Sequence, residues 1–311
     1  RLENITHSRG KYAPYQVGLA AALACSAFVF LLGGGPVEMI CSFIGAGLGN
    51  YVRRKMSDRH ITMFAGIGVA VAVACLSYLL ALTVLQFGFH VSSRHEAGYI
   101  GAMLFVIPGF PFITSGLDLS KLDMRSGLER LAYAALIVVV ATLVGWVVAM
   151  AVNLRPENFP HLALTSLVYM LLRLPASFCG VFGFSIMFNS TPKMAALAGL
   201  IGAVANTTRL ELVDLAQIPA GPAAFVGAMI AGLLAWIVKR KVRYPQISIT
   251  VPSIVIMVPG LYMYRAMYNI GLTSISVGAL WLTKALLIVI FLPLGLITAR
   301  IITDTKWRHN G

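Results

Sequence analysis

Residues 98–119 read GYIGAMLFVIPGFPFITSGLDL, and residues 247–267 read ISITVPSIVIMVPGLYMYRAM. Each is an apolar run of about 20 residues, the length that crosses a hydrocarbon core as a helix. Each also carries a Pro-Gly pair near its middle, Pro108-Gly109 in one and Pro259-Gly260 in the other. The proline ring removes a backbone donor and clashes with the preceding turn, and the adjacent glycine lets the chain open. Pro111 widens the first break. Carbonyls freed in this way persist at membrane depth only where protein or a water-filled cavity satisfies them.

Runs of the same kind recur along the whole chain. Of its 311 residues 59% are hydrophobic and 11% charged, far from the roughly 45–50% apolar and 25% charged of soluble domains. We count ten spans, at Tyr15 to Leu32, Pro36 to Val52, Ile61 to Phe87, Gly98 to Leu119, Leu128 to Val152, Leu162 to Phe188, Met194 to Thr208, Pro222 to Val238, Ile247 to Met267 and Ile275 to Ile302. The first exceeds a signal-peptide core and lacks a small-residue cleavage site. Threading the spans alternately through a bilayer collects eighteen of the 24 Lys and Arg on one side. They include Arg53, Arg54, Lys55 and Arg59 after span 2, and Lys239, Arg240, Lys241 and Arg243 after span 8. Arg94, Arg155, Arg209 and Arg265 fall on the other side, and Arg173 and Lys284 lie within spans. Cytoplasmic loops carry the excess of Lys and Arg, so both termini are expected to be cytoplasmic, in a cell membrane. The net charge of +13 is thereby read as topology, since no basic stripe interleaved with aromatics points to nucleic acid.

The chain also resembles itself. At an offset of 151 residues Ile107-Pro108-Gly109 falls on Val258-Pro259-Gly260, Gly127 on Gly278, Ala134 on Ala285 and Ile137 on Ile288; at 157, Ile44-Gly45-Ala46 falls on Ile201-Gly202-Ala203. Two repeats of five spans follow. Because five is odd, the second copy enters from the opposite side, the inverted repeat of alternating-access transporters. The expected fold is therefore all-α and integral to the membrane. Transmembrane repeats occupy 15–152 and 161–311, with a linker at 153–160 and residues 1–14 ahead of them. In such folds paired, interrupted spans point to the substrate site, which singles out spans 4 and 9. Spans 2 and 7 are short and rich in glycine, better read as close helix packing.

Charges inside a membrane are costly and default to function. Lys284 is the tenth residue of span 10, about 15 Å from its end at about 1.5 Å per residue. No acid sits at its depth, so it is expected to meet a substrate carboxylate or to tie down helix-end carbonyls. Arg173, beside Pro175, is equally a substrate contact or a tie at a kink. Thr114 and Asp118 correspond through the repeat to Arg265 and Asn269, either as gates or as interfacial helix ends. Cys25, Cys41, Cys75 and Cys179 lie in apolar runs without a CxxC pair, which indicates neither disulfides nor zinc. No HExxH, no paired intramembrane aspartates and no G-x-S-x-G elbow are present, so no enzyme, metal or cofactor is expected. A channel is the alternative from another class, and a homo-oligomer is compatible with either.

The segment Pro108-Gly109-Phe110-Pro111, with Thr114, Ser115 and Asp118 after it, then Gly127-Leu128-Glu129-Arg130-Leu131, resembles the threonine/serine exporter family. Pro259-Gly260 followed by Tyr264-Arg265 is similar to the family's C-terminal domain. The resemblance implies a ten-helix transporter that exports threonine and serine by coupling to an ion gradient, the proton being the expected ion. For the family's split form it implies export of a dicarboxylate such as succinate. Either substrate carries a carboxylate, in keeping with the buried cations. The resemblance also implies that residues 1–14 are the tail of a largely absent cytoplasmic N-terminal segment.

Overall fold

The computed structural model describes residues 11–154, 159, 162–239 and 244–304, and only the backbone of Ser93, Arg94 and Glu96. Residues 1–10, most of the 153–160 linker and the basic residues 240–243 lie outside the described residues. Every regular element among the described residues is helical. The first half comprises α1 (Pro14–Leu31), α2 (Pro36–Asp58), α3 (Met63–Phe89), α4 (Tyr99–Met103), α5 (Gly109–Leu119) and α6 (Met124–Ala151). A 3₁₀ turn, Ser93–Gly98, leads into α4, and another, Leu104–Val106, leaves it. The second half comprises α7 (Ser166–Met187), α8 (Pro192–Asp214), α9 (Ala220–Lys239), α10 (Ile247–Val255), α11 (Gly260–Gly271) and α12 (Ile275–Thr303). Proline opens α1, α2 and α8, where its missing N–H has no intrahelical partner to lose.

Seven of these helices are long and apolar enough to span a membrane, and two bent pairs, Tyr99–Val106 with Gly109–Leu119 and Ile247–Val255 with Gly260–Gly271, bring the number to nine. The tenth expected span is α2. Its 23 residues make a rod of about 35 Å, but Arg53, Arg54, Lys55 and Asp58 in its last two turns lower its hydropathy. The protein is thus an all-helical, multi-pass membrane protein. Helix α8 runs to Asp214, beyond the expected end at Thr208. The apolar Leu210, Leu212 and Val213 sustain it, and Arg209 and Glu211 sit on the helix instead of in a loop.

The two halves pack in the same order. In the first, α1 packs on α2, α2 on α3, α3 on α6 and α5 on α6, with α4 resting on α1, α2 and α3. In the second, α7 packs on α8, α8 on α9, α9 on α12 and α11 on α12, with α10 resting on α7, α8 and α9. The halves meet through α1 on α7, and through crossed pairs, α5 on α12 with α11 on α6, and α5 on α10 with α11 on α4. Each of these contacts has its counterpart under exchange of the halves. Small residues permit the close approaches. A Cβ at Gly45 would stand 2.6 Å from the Ala74 carbonyl oxygen, and one at Gly202 would stand 2.7 Å from that of Ser253. The glycines of spans 2 and 7 thus lie at tight helix contacts.

Candidate functional site

The two breaks have one geometry. Pro108 has φ −82° and ψ 63°, and Pro259 has φ −82° and ψ 54°. These are inverse γ-turn angles, and the Gly109 and Gly260 N–H groups donate to Ile107 and Val258 oxygens at 2.8 and 2.9 Å. The spans bend there by 51° and 49°. The breaks also face each other. A Cβ on Gly109 would meet Val255 and Val258, each at 3.1 Å, and one on Gly260 would meet Leu104 at 2.8 Å and Ile107 at 3.2 Å. Leu104, Ile107 and Gly109 become Val255, Val258 and Gly260 at the 151-residue offset, so each break seats its glycine on the equivalent residues of the other. With Phe28 and Phe184 these six residues enclose only about 20 Å³, too little for an amino acid.

A cavity lies on either side of this apolar barrier. One, of about 520 Å³, reaches Pro108 and Pro111 and is walled by the last turns of α2, with Asn50, Arg53 and Arg54, and by Tyr133 of α6. It opens at the end of the molecule that carries the basic loops. The other, of about 610 Å³, reaches Leu261, Tyr262 and Arg265, just beyond Pro259-Gly260, and is walled by Tyr169 and Arg173 of α7 and by Arg209, Glu211 and Asp214 of α8. In both, the last turns of the second helix of a repeat supply guanidinium groups.

The predicted residues distribute unevenly over this frame. Pro108 and Pro111 line the first cavity, while Gly109, Pro259 and Gly260 form the breaks. Arg173 and Arg265 line the second cavity. Arg173 Nη1 binds Glu211 at 2.6 Å and Nη2 binds Asp214, and its guanidinium lies 4.5 Å from the Tyr169 ring centre. Neither a substrate contact nor a tie to kink carbonyls accounts for these bonds: the extended α8 brings two acids to Arg173, which the sequence reading did not anticipate. Tyr264 is fully buried, its hydroxyl 2.7 Å from that of Tyr99. Thr114 donates to its own helix at Phe110 (3.0 Å), and Ser115 to Gly127 (2.8 Å), joining α5 to α6. Asp118 pairs with Arg130 at 2.9 Å. Ser115 and Asp118 close the α5–α6 corner, and none of the three lines either large cavity.

Lys284 stands outside the walls of all three cavities, on an exposed face of α12, with its ammonium 5.0 Å over the Trp281 ring. The inward face of α12 is set by Gly278, Ala285, Ile288 and Leu292, and Lys284 falls about a quarter turn to one side of it. Depth along the helix was legible in the sequence, but the facing direction was not. Sequence reasoning passed over Arg53, Arg54, Asn50, Tyr133 and Arg209. Arg209 Nη1 donates to the Met257 carbonyl at 3.2 Å, which gives a carbonyl in the break a partner at membrane depth. The available signal was spacing: Asn50, Arg53 or Arg54, and Ser57 recur every three or four residues and so share one helix face.

Residues 1–153 match the family model described as "Putative threonine/serine exporter" and residues 173–302 the one described as "Threonine/Serine exporter, ThrE". Among curated proteins, the "Probable succinate transporter subunit YjjP" of Escherichia coli (strain K12) is 28% identical over 142 residues, 46% of this chain and 54% of that protein. The protein of the same description from Klebsiella aerogenes is 27% identical over 143 residues, 45% of this chain and 52% of its own. The chain spans about half the length of the curated relatives it matches. No solved structure matches. With family models covering both halves, and with the paired breaks that they share, the chain belongs to the threonine/serine exporter family.

Proposed function

We propose that the protein exports small hydrophilic amino acids, threonine and serine, by ion-coupled alternating access. The observation that carries this reading is the pair of cavities, similar in size, on either side of two symmetry-equivalent breaks that seal against each other. A carrier needs one barrier able to part from either side. A channel needs a continuous bore, and here the barrier leaves about 20 Å³. The packing order repeated between the halves supports two inverted units, 15–152 and 161–311, joined by 153–160, with the basic loops cytoplasmic. The first cavity then faces the cytoplasm, where an exporter loads, and the second faces the exterior. Guanidinium groups in both suit a carboxylate, and Glu211 and Asp214 in the exit cavity suit an ammonium group. Protons are the proposed driving ion.

A dicarboxylate is the second reading. It is favoured by the succinate transporter named in the relatives' descriptions and by the first cavity, whose wall has two arginines and no acid among the described residues. The test is flux in proteoliposomes with labelled threonine, serine and succinate under imposed proton and sodium gradients. Saturable counterflow of threonine and serine driven by a proton gradient is expected. Flux linear in concentration would establish a channel, and saturable flux of succinate alone would establish the second reading.

A further inference from the structure

The cavity at the basic-loop end contains a cation that no carboxylate among the described residues neutralises. Arg53 is partly buried in its wall, and among the described residues no carboxylate lies within ion-pair distance of it. Its neighbour Arg54 is engaged by Asp58, one turn on, at 3.6 Å. Asn50, one turn earlier on α2, uses its amide nitrogen to donate to the Val17 carbonyl at 2.9 Å, which leaves its side-chain oxygen as an acceptor. The Tyr133 hydroxyl, donated to the Met63 sulfur at 3.2 Å, keeps its lone pairs. Among the described residues the wall thus offers one guanidinium without a carboxylate partner, together with neutral acceptors, in the same cavity that reaches the Pro108 break. A partly desolvated arginine without a counter-ion is costly unless an anion visits it.

We infer that Arg53 is the loading site for the carboxylate of the transported solute, with the Asn50 side-chain oxygen placed to accept from an ammonium group. The second cavity supports this independently. There the last turns of α8 also supply an arginine, Arg209, at a place one residue out of register with Arg53 in the 157-residue offset. The two ends of the pathway therefore each present guanidinium from the second helix of a repeat. An arginine suits this task because its planar fork meets both oxygens of a carboxylate.

The inference rests on the transporter reading but is tested by binding, which does not need transport to occur. Binding of labelled threonine and of labelled succinate is measured on the purified protein and on its Arg53→Gln, Arg53→Lys and Arg59→Gln variants, with melting temperature recorded for each. Arg53→Gln is expected to weaken binding of whichever ligand the unaltered protein takes by about tenfold or more, as when one partner of a desolvated charge pair is lost. Arg53→Lys should recover part of that loss, and Arg59→Gln should change binding by less than about threefold because Arg59 is exposed and lies outside the cavity wall. As a readout that needs no variant, the ligand should slow modification of Arg53 by phenylglyoxal, followed by mass spectrometry, while leaving the rate at exposed Arg59 unchanged. Affinity in Arg53→Gln within about threefold of the unaltered protein overturns the assignment. So does absence of protection at Arg53, or failure of the unaltered protein to bind either ligand. Binding with protection but without flux in proteoliposomes leaves the loading site standing and removes the transporter reading instead.

Discussion

The seal between the breaks can be overfilled by one methyl group, and the response distinguishes a moving barrier from a rigid one. In Gly109→Ala the new Cβ would stand 3.1 Å from Val255 Cγ1 and 3.1 Å from Val258 Cγ2, closer than the ordinary contact of about 3.5–4.0 Å. Both neighbours are β-branched and restricted at χ1, so neither swings aside readily. Overpacking of this kind costs typically about 1–3 kcal/mol. If the two breaks separate when a cavity deepens toward the other side, that cost falls on the sealed form alone. Every 1.4 kcal/mol then shifts the population about tenfold toward conformers with the breaks apart. The assay is reaction of an impermeant thiol reagent with single cysteines placed at Phe28 and Phe184, which line the barrier without meeting either new methyl, in a background without the four native cysteines. The alanine variant should label about tenfold faster or more, and adding Val255→Ala should return the rate toward that of the parent. Gly260→Ala should act more weakly in spite of its 2.8 Å approach, because the atom met is the end of the Leu104 side chain, which has a second χ angle to adjust. A lower melting temperature with unchanged labelling would refute the argument, since it would show that the seal is present in every conformer.

Three further outcomes follow from the geometry. A cysteine at Ser57 should be shielded from impermeant reagents in intact cells and one at Ser92 should label, as the distribution of Lys and Arg requires; the reverse pattern would invert the proposed orientation. Arg173→Gln leaves Glu211 and Asp214 without their cation and should cost about 1–3 kcal/mol, reduced by the half exposure of Asp214. A fall in melting temperature that Glu211→Gln does not partly reverse would refute the pairing. Lys284→Met should lower stability by no more than about 1 kcal/mol, the worth of an exposed cation–π contact, and leave ligand affinity unchanged; a tenfold loss of affinity would restore Lys284 as a substrate contact.

What could be read in advance was what repeats. Apolar runs of span length, the paired Pro-Gly breaks and the self-similarity at 151 residues fix the helices and the bends, because those properties depend on composition and spacing; that the two bends seat on each other was not legible. The azimuth of a side chain in a helix that is apolar all round has no such signal. Lys284 and Ala285 are adjacent in sequence, yet one is exposed and the other buried, and the surrounding leucines and valines do not reveal which face meets protein and which meets lipid. Helix length was misread for the converse reason. Arg53 and Arg209 were assigned to span ends because charges usually mark interfaces, whereas α2 and α8 continue past them and turn those same charges toward cavities.

The two halves do not carry the same residues where they cross. At the end opposite the basic loops, α4 meets α11 through Tyr99 and Tyr264, both fully buried, whose hydroxyls hydrogen-bond at 2.7 Å and whose rings meet edge to face. Under the 151-residue offset Tyr99 becomes Thr250 and Tyr264 becomes Ile113, the corresponding positions of α10 and α5 at the basic-loop end. Ile113 has no donor or acceptor in its side chain, and the Thr250 hydroxyl donates to Gln246 of its own helix at 3.1 Å. The crossing of α4 with α11 is therefore held by a hydrogen bond that its counterpart lacks. On the proposed alternating-access reading, a net worth of about 0.5–1.5 kcal/mol for such a bond corresponds to a bias of about two- to tenfold between two arrangements that a perfectly repeated sequence would weight equally. Symmetry in the breaks sets where the barrier lies; the residues that depart from symmetry set which side of it is held more firmly.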